Sequence, residues 1–161
     1  MNTNSAHQNR WLTGEVVFGS PFLTAIVLQY FAPAPLPFEI PQAFRTVAGI
    51  ALSLAGVGLM LAARRELARY QQPTDPGAPT TELVRTGPYA VSRNPLYLAA
   101  ALLFSGVALM LATLWALGAL LLALFLCQCL LIRPEERYLA SRFGAGYAAY
   151  VAAVHRWLGK K

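Results

Sequence analysis

Two acids, Glu135 and Glu136, stand just past a long stretch of sequence that has no charge at all, with only Arg133-Pro134 between. A carboxylate beside so apolar a run is costly to keep and tends to mark a site. It can hold an amino group or ribose hydroxyls, or take up a proton. A second group of residues lies upstream, Thr81-Glu82-Leu83-Val84, then Thr86-Gly87-Pro88-Tyr89, then Ser92-Arg93-Asn94-Pro95-Leu96-Tyr97. Gly87-Pro88 is a turn signal. Asn94 and Pro95 are an N-cap and a first helical residue. Tyr97 follows within a turn, at the depth where aromatics settle in a membrane interface. The irregular backbone of such a segment offers amides and carbonyls able to read a nucleoside.

Other chemistries find no support. The two cysteines, Cys127 and Cys129, are two residues apart in an apolar run, and on a helix they point in different directions. No cluster of His and Cys has the spacing of a zinc site, so no metal is expected. The basic residues are dispersed and fit no nucleic-acid-binding module.

The elements that must position these residues are apolar. Of 161 residues, 57% are hydrophobic and 12% charged, where a soluble domain carries about 25% charged. Leu12 to Ala32 is a run of 21 residues with one acid, Glu15; Thr46 to Ala63 is 18 without charge; Leu96 to Ile132 is 37 without charge. A bilayer crossing takes about 20 residues, so the last run reads as a hairpin bent near Ala112-Thr113. The expected fold is all-α, an integral membrane bundle of four transmembrane helices over about 12–32, 46–63, 95–112 and 114–132. The first run is too long, and Arg10 too small a basic region, for a signal peptide.

Twelve of the 13 basic residues then fall on one side, in the N-terminal tail, the 64–93 connection and the tail after 132; Arg45 alone lies towards the other. The positive-inside rule makes that side, and both termini, cytoplasmic. The Pro-rich 33–43 connection is a simple turn on the far side. Helix two is expected to run on through Arg64, Arg65, Glu66 and Arg69 and to break at 73–79. Pro134 is expected to start a new helix with the acid pair in its first turn. Apolar residues at Leu139, Phe143, Tyr147, Tyr150, Val154 and Trp157 describe an amphipathic helical segment, interrupted near Gly144 and Gly146, that lies on the membrane or caps the bundle.

The order and spacing of Leu83-Val84-x-Thr86-Gly87-Pro88-Tyr89, Arg93-Asn94-Pro95-x-Tyr97, Glu135-Glu136-x-x-Leu139 and Phe143-Gly144-x-x-Tyr147 resemble the isoprenylcysteine carboxyl methyltransferases and phospholipid methyltransferases. The resemblance covers about 80–157. It implies a membrane enzyme that binds S-adenosylmethionine on its cytoplasmic side and methylates a lipophilic or lipidated acceptor among membrane lipids. It places Thr81, Glu82, Leu83, Val84, Gly87 and Tyr89 along the cofactor, Asn94, Pro95 and Tyr97 against it from helix three, and Glu135 opposite. Glu136 is expected close by, able to take a proton from an amine acceptor. The substrate-binding Arg of the carboxyl methyltransferases aligns with Leu131, which leaves Arg133 as the nearest residue to orient an acceptor carboxylate. Those enzymes carry His where this chain has Asn94; phospholipid methyltransferases can carry Asn. The sequence has no signal for an oligomeric state.

Two other functions compete. Membrane sterol and steroid reductases share a similar C-terminal pattern and would bind NADPH. A non-enzymatic four-helix scaffold would use Gly49, Ser53, Gly56 and Gly58 for close helix contact.

Overall fold

A computed structural model describes residues 13–73 and 79–161. Leu12, Arg10 and most of the expected break at 73–79 (residues 74–78) lie outside the described residues. The fold is all-α. Helix α1 is Gly14–Phe31, α2 Gln42–Arg69, α3 Pro95–Leu111, α4 Leu114–Leu126, α5 Arg133–Phe143 and α6 Ala145–Ala153. A 3₁₀ turn covers Gly87–Ala90, and a π turn, Cys127–Ile132, joins α4 to α5. No strand occurs among the described residues; Pro35–Thr113 and Val154–Lys160 are isolated bridges.

Local chemistry sets the helix ends. Thr13 and Thr113 cap α1 and α4, their hydroxyls accepting from the Val16 and Ala116 amides at 3.3 and 3.1 Å. Ala112 closes α3 in the left-handed region, with φ +49°. That residue and Thr113 form the expected bend. Helix α2 has 28 residues, about 42 Å at 1.5 Å per residue, well beyond a hydrocarbon core of about 30 Å. Its last turns therefore project among the loops, where Glu66 and Arg69 are used.

The four long helices run end to end and antiparallel. The Ala34 carbonyl accepts from the Leu114 amide at 2.9 Å, and the Ala32 carbonyl from Trp115 Nε1 at 2.7 Å. These bonds place the α1–α2 and α3–α4 connections at one end. All the candidate site residues gather at the other. Helix α2 packs along α3 and α1 along α4. The α2–α3 seam is made of small residues: a Cβ on Gly56 would stand 2.6 Å from the Leu103 nitrogen and 2.7 Å from the Ala99 oxygen. Phe18 and Phe22 of α1 meet Phe104 of α3 at 5.3 and 4.7 Å, over the buried Ala119 and Ala123 of α4. The outward faces are apolar as well, with Leu23, Val47, Leu54, Leu121 and Phe125 all exposed. Such faces suit lipid. Among the described residues three helical stretches are long and apolar enough to cross a membrane, namely α1, α2 and the continuous Leu114–Phe143; α3 is a shorter apolar helix of 17 residues.

Three local expectations need correction. Pro134 does not start a separate helix. The chain stays helical from Leu114 to Phe143, because the π turn shifts the hydrogen-bond register just before it: the Arg133 amide bonds to the Gln128 carbonyl. Proline lacks an N–H and its ring clashes with the carbonyl four back, and a wider turn relieves both problems. Asn94 holds the N-cap position but does not cap with its side chain; its Nδ2 donates to the Arg156 carbonyl at 3.1 Å. Of the two glycines expected to interrupt the C-terminal segment, only Gly144, with φ +50°, does so; Gly146 lies within α6.

Candidate functional site

Four separate pieces of chain meet at the loop end of the bundle, and each is tied down by a polar side chain. The 80–84 segment hangs from Gln72, just past α2. Gln72 is buried; its Oε1 accepts from the Thr81 amide at 2.9 Å and its Nε2 donates to Thr81 Oγ1 at 2.8 Å. From the other side Tyr138 of α5 accepts from the Thr80 amide at 3.2 Å. The 86–90 turn is held by Glu66, a buried acid on α2 that accepts from the Thr86 hydroxyl and from Arg69 Nη1 at 3.2 Å. Gly87 sits over this carboxylate with φ +57°, where a Cβ would come 3.0 Å from Glu66 Cδ. Glycine is needed there for both space and conformation.

The start of α3 is clamped by Glu136. This carboxylate takes Arg156 through two bonds, at 2.9 and 2.7 Å, and Arg93 Nη1 at 3.0 Å. The Arg93 side chain is only 8% exposed and also donates to the Tyr147 hydroxyl at 3.1 Å. The C-terminal tail is bound in turn, since the Arg93 amide bonds to the His155 carbonyl and the Gly159 amide to the Val91 carbonyl. The amphipathic segment thus caps the bundle: Tyr147, Tyr150 and Val154 form a buried cluster with Leu83, Leu139 and Phe143. Tyr150 donates to the Tyr89 carbonyl at 2.6 Å.

The fourth piece is Glu135, three residues beyond Ile132, the last residue of the π turn. The register after the π turn aims it at α3, where Tyr97 donates to its Oε2 at 2.9 Å. Burial raises the phenols of Tyr89 and Tyr150, which stay neutral. Arg156 is raised chiefly by its hydrogen bonds to Glu136 and stays a cation.

These pieces enclose a cavity of about 430 Å³. Of the candidate residues, Glu82, Leu83, Val84 and Tyr89 line it from the loop, Asn94, Pro95 and Tyr97 from α3, and Glu135 from α5. Thr81, Gly87, Arg133 and Glu136 are not among its walls. Thr81 and Gly87 serve as fixing points, Glu136 faces Arg93 and Arg156, and Arg133 is exposed. The cavity also runs into the bundle, against Met60, Ala100, Leu103 and Phe104. Among the described residues no three His, Cys, Asp or Glu side chains converge as a metal site would need.

Sequence reasoning missed Gln72, Glu66, Tyr138 and Arg156 as parts of this site. Glu66 carried a faint signal, an acid among the basic residues that end α2. Gln72 carried none, since its partner is nine residues on and the bond depends on how the loop returns.

The profile of the phospholipid methyltransferase family matches residues 44–146. The matched span begins in α2 and ends in α6, and takes in every wall of the cavity except those from α1 and Tyr150. The chain belongs to the phospholipid methyltransferase family. One curated relative is the cobalt-zinc-cadmium resistance protein CzcN of Cupriavidus metallidurans, 35% identical over 94 residues, or 58% of this chain. The chain spans only 42% of that relative's length. No solved structure matches it.

Proposed function

We propose that this protein transfers a methyl group from S-adenosylmethionine to a lipophilic acceptor at the cytoplasmic face of a membrane. The observation that carries this reading is that one cavity joins a polar wall around Glu135 to the apolar interior of the bundle. In this reading all four long helices cross the bilayer, both termini are cytoplasmic, and the loop end faces the cytosol.

The residues fit an adenosyl cofactor. The cavity's size lies within the range of about 300–1,000 Å³ usual for small-molecule sites. The Arg93 Nε–H is buried without a partner among the described residues, a donor available to a carboxylate. Glu135 has Oε1 to spare for an amino or ribose group, since Tyr97 takes Oε2. When bound, the cofactor supplies an electrophilic methyl on a sulfonium.

The chain's own residues then have simple tasks. Methyl transfer needs the acceptor atom in line with the breaking bond and water kept out. The 82–84 segment and Tyr89 form one wall and Tyr97 with Glu135 the opposite one. The Tyr147–Tyr150–Val154 cluster closes the cytosolic side against water. Glu136 holds the wall together through Arg93 and Arg156, so its role is positioning. A carboxylate acceptor needs orientation only. An amine acceptor must lose a proton, and of the carboxylates lining the cavity Glu82 and Glu135 are placed to take it.

The test is calorimetric titration of the detergent-purified protein with S-adenosylhomocysteine and, separately, NADPH. Binding of S-adenosylhomocysteine alone supports the proposal. Binding of NADPH alone would move the site to reductase chemistry. Binding of neither to folded protein would favour the scaffold.

A further inference from the structure

The cavity has a second end. Beyond the polar wall it continues between α1 and α2, where Glu15, Met60, Arg64 and Leu67 line it. Helix α1 packs on α4 and α2 packs on α3, and among the described residues α1 and α2 do not pack along each other. What joins them at the level of the cavity is an ion pair, Arg64 Nη2 to Glu15 Oε1, at 3.4 Å. Its side chains are 51% and 73% exposed. A pair so exposed contributes little, so exchanging one partner for another anion is cheap.

The other cations near the cavity are differently placed. Arg93 has its charge paired with Glu136 and only its buried Nε–H to spare, Arg69 is paired with Glu66, and Arg133 is exposed and outside the cavity walls. Arg64 is thus a cavity-lining guanidinium whose partner is a weakly held surface carboxylate.

We infer that Arg64 recognises an anionic group, phosphate or carboxylate, on an amphiphilic acceptor, and that Glu15 occupies Arg64 until the acceptor arrives. The inference deepens the proposed function and rests on it for the word acceptor. A guanidinium suits either anion through paired N–H donors. Among the described residues α1 and α2 are not packed along each other, so a chain entering between them from the bilayer need not unpack either helix pair. Met60, Leu103 and Phe104 offer the apolar surface for that chain beside Arg64. The anion then takes the place of Glu15, and the rest of the molecule is directed along the cavity towards Tyr89 and Glu135. The orienting role that spacing offered to Arg133 falls instead to a residue on α2, 69 positions earlier in the chain.

The test uses the full chain in detergent and three pyrene-labelled probes: a phosphatidic acid, a fatty acid and the matching fatty alcohol. Binding is read by energy transfer from the protein's tryptophans. The unmodified chain should bind at least one charged probe about tenfold more tightly than the alcohol, and which one identifies the anion's source. Arg64→Gln should erase that preference, Arg64→Lys should restore part of it, and Glu15→Gln should tighten binding of the charged probe. Opposite signs for the two glutamine variants are decisive, because a merely structural pair would weaken binding in both. No preference in the unmodified chain, or equal weakening in both variants, would overturn the inference. S-adenosylhomocysteine affinity, measured alongside, should be unchanged in all three variants and reports folding. If that ligand fails to bind the unmodified chain while the charge preference and its reversal hold, the methyltransferase reading falls and the anion site stands.

Discussion

Glu135 and Glu136 are adjacent in sequence and opposite in use. A helix turns about 100° per residue, so neighbouring side chains face different partners. Glu135 looks into the cavity and meets a single neutral donor, Tyr97. Glu136 looks away and meets two guanidinium groups. Their substitutions should therefore fail in different ways. Glu135→Ala should lower S-adenosylhomocysteine affinity by about tenfold or more, about 1.4 kcal/mol, with the melting temperature little changed. Calorimetry on the folded variant checks it, and undiminished binding would remove Glu135 from the site. Glu136→Ala leaves the nearly buried Arg93 uncompensated. Losing one partner of a buried pair costs about 3–5 kcal/mol, and the partly exposed Arg156 places this case towards the low end. It should appear as a lowered melting temperature in detergent. Gln72→Ala strips the Thr81 amide of its partner and should cost about 1–3 kcal/mol. Its distinguishing effect is increased protease cleavage within 79–84 while the helices stay intact.

At the scale of elements, the π turn at 127–132 decides which acid faces the cavity. It adds a residue to the helical register between an apolar span packed on α1 and a polar helix packed under the loops. Deleting one residue within 127–132 should restore α-helical spacing and rotate α5 by about 100° relative to α4. Glu135 would leave Tyr97, and S-adenosylhomocysteine binding should vanish with helix content retained by circular dichroism. Retained binding would mean that the site tolerates the rotation. The α2–α3 seam makes a separate demand. It carries no chemistry, yet it sets the distance between Glu66 on α2 and the start of α3. Gly56→Leu forces the backbones apart where a Cβ already meets Leu103 and Ala99. Overpacking of this kind costs about 1–3 kcal/mol, measurable by thermal unfolding.

At the scale of the molecule, the topology makes one prediction. The loop end holds the tail after Phe143, and the Pro-rich turn lies at the opposite end, bonded to the α3–α4 bend. If four helices cross, single cysteines placed at Lys161 and at Pro37 should react with membrane-impermeant maleimide from opposite sides of sealed vesicles. Cys127 is buried and Cys129 half-buried, so a Cys129→Ser background is sufficient. Labelling of both from one side would exclude an odd number of spans between them, and with it the crossing by all four helices.

Composition, hydrophobic period and helix punctuation are enough to set the apolar framework. Three uncharged or nearly uncharged runs required apolar helices, and where a cap or turn acts locally, as at Thr13, Ala112-Thr113 and Pro95, their ends fell close to the observed ones. The motif residues that line the cavity were legible because a loop of fixed length returns to a helix start a few residues on. Tertiary structure alone decided the rest. Gln72 finds Thr81, Glu66 finds Thr86, and Glu136 chooses Arg93 and Arg156 over the cavity through partners 9 to 43 positions away. Arg64 reaches the cavity, and Arg133 misses it, because α2 overshoots the apolar layer and the π turn resets α5. Such pairings depend on where helices stop relative to one another in space. No local pattern of residue types encodes that distance.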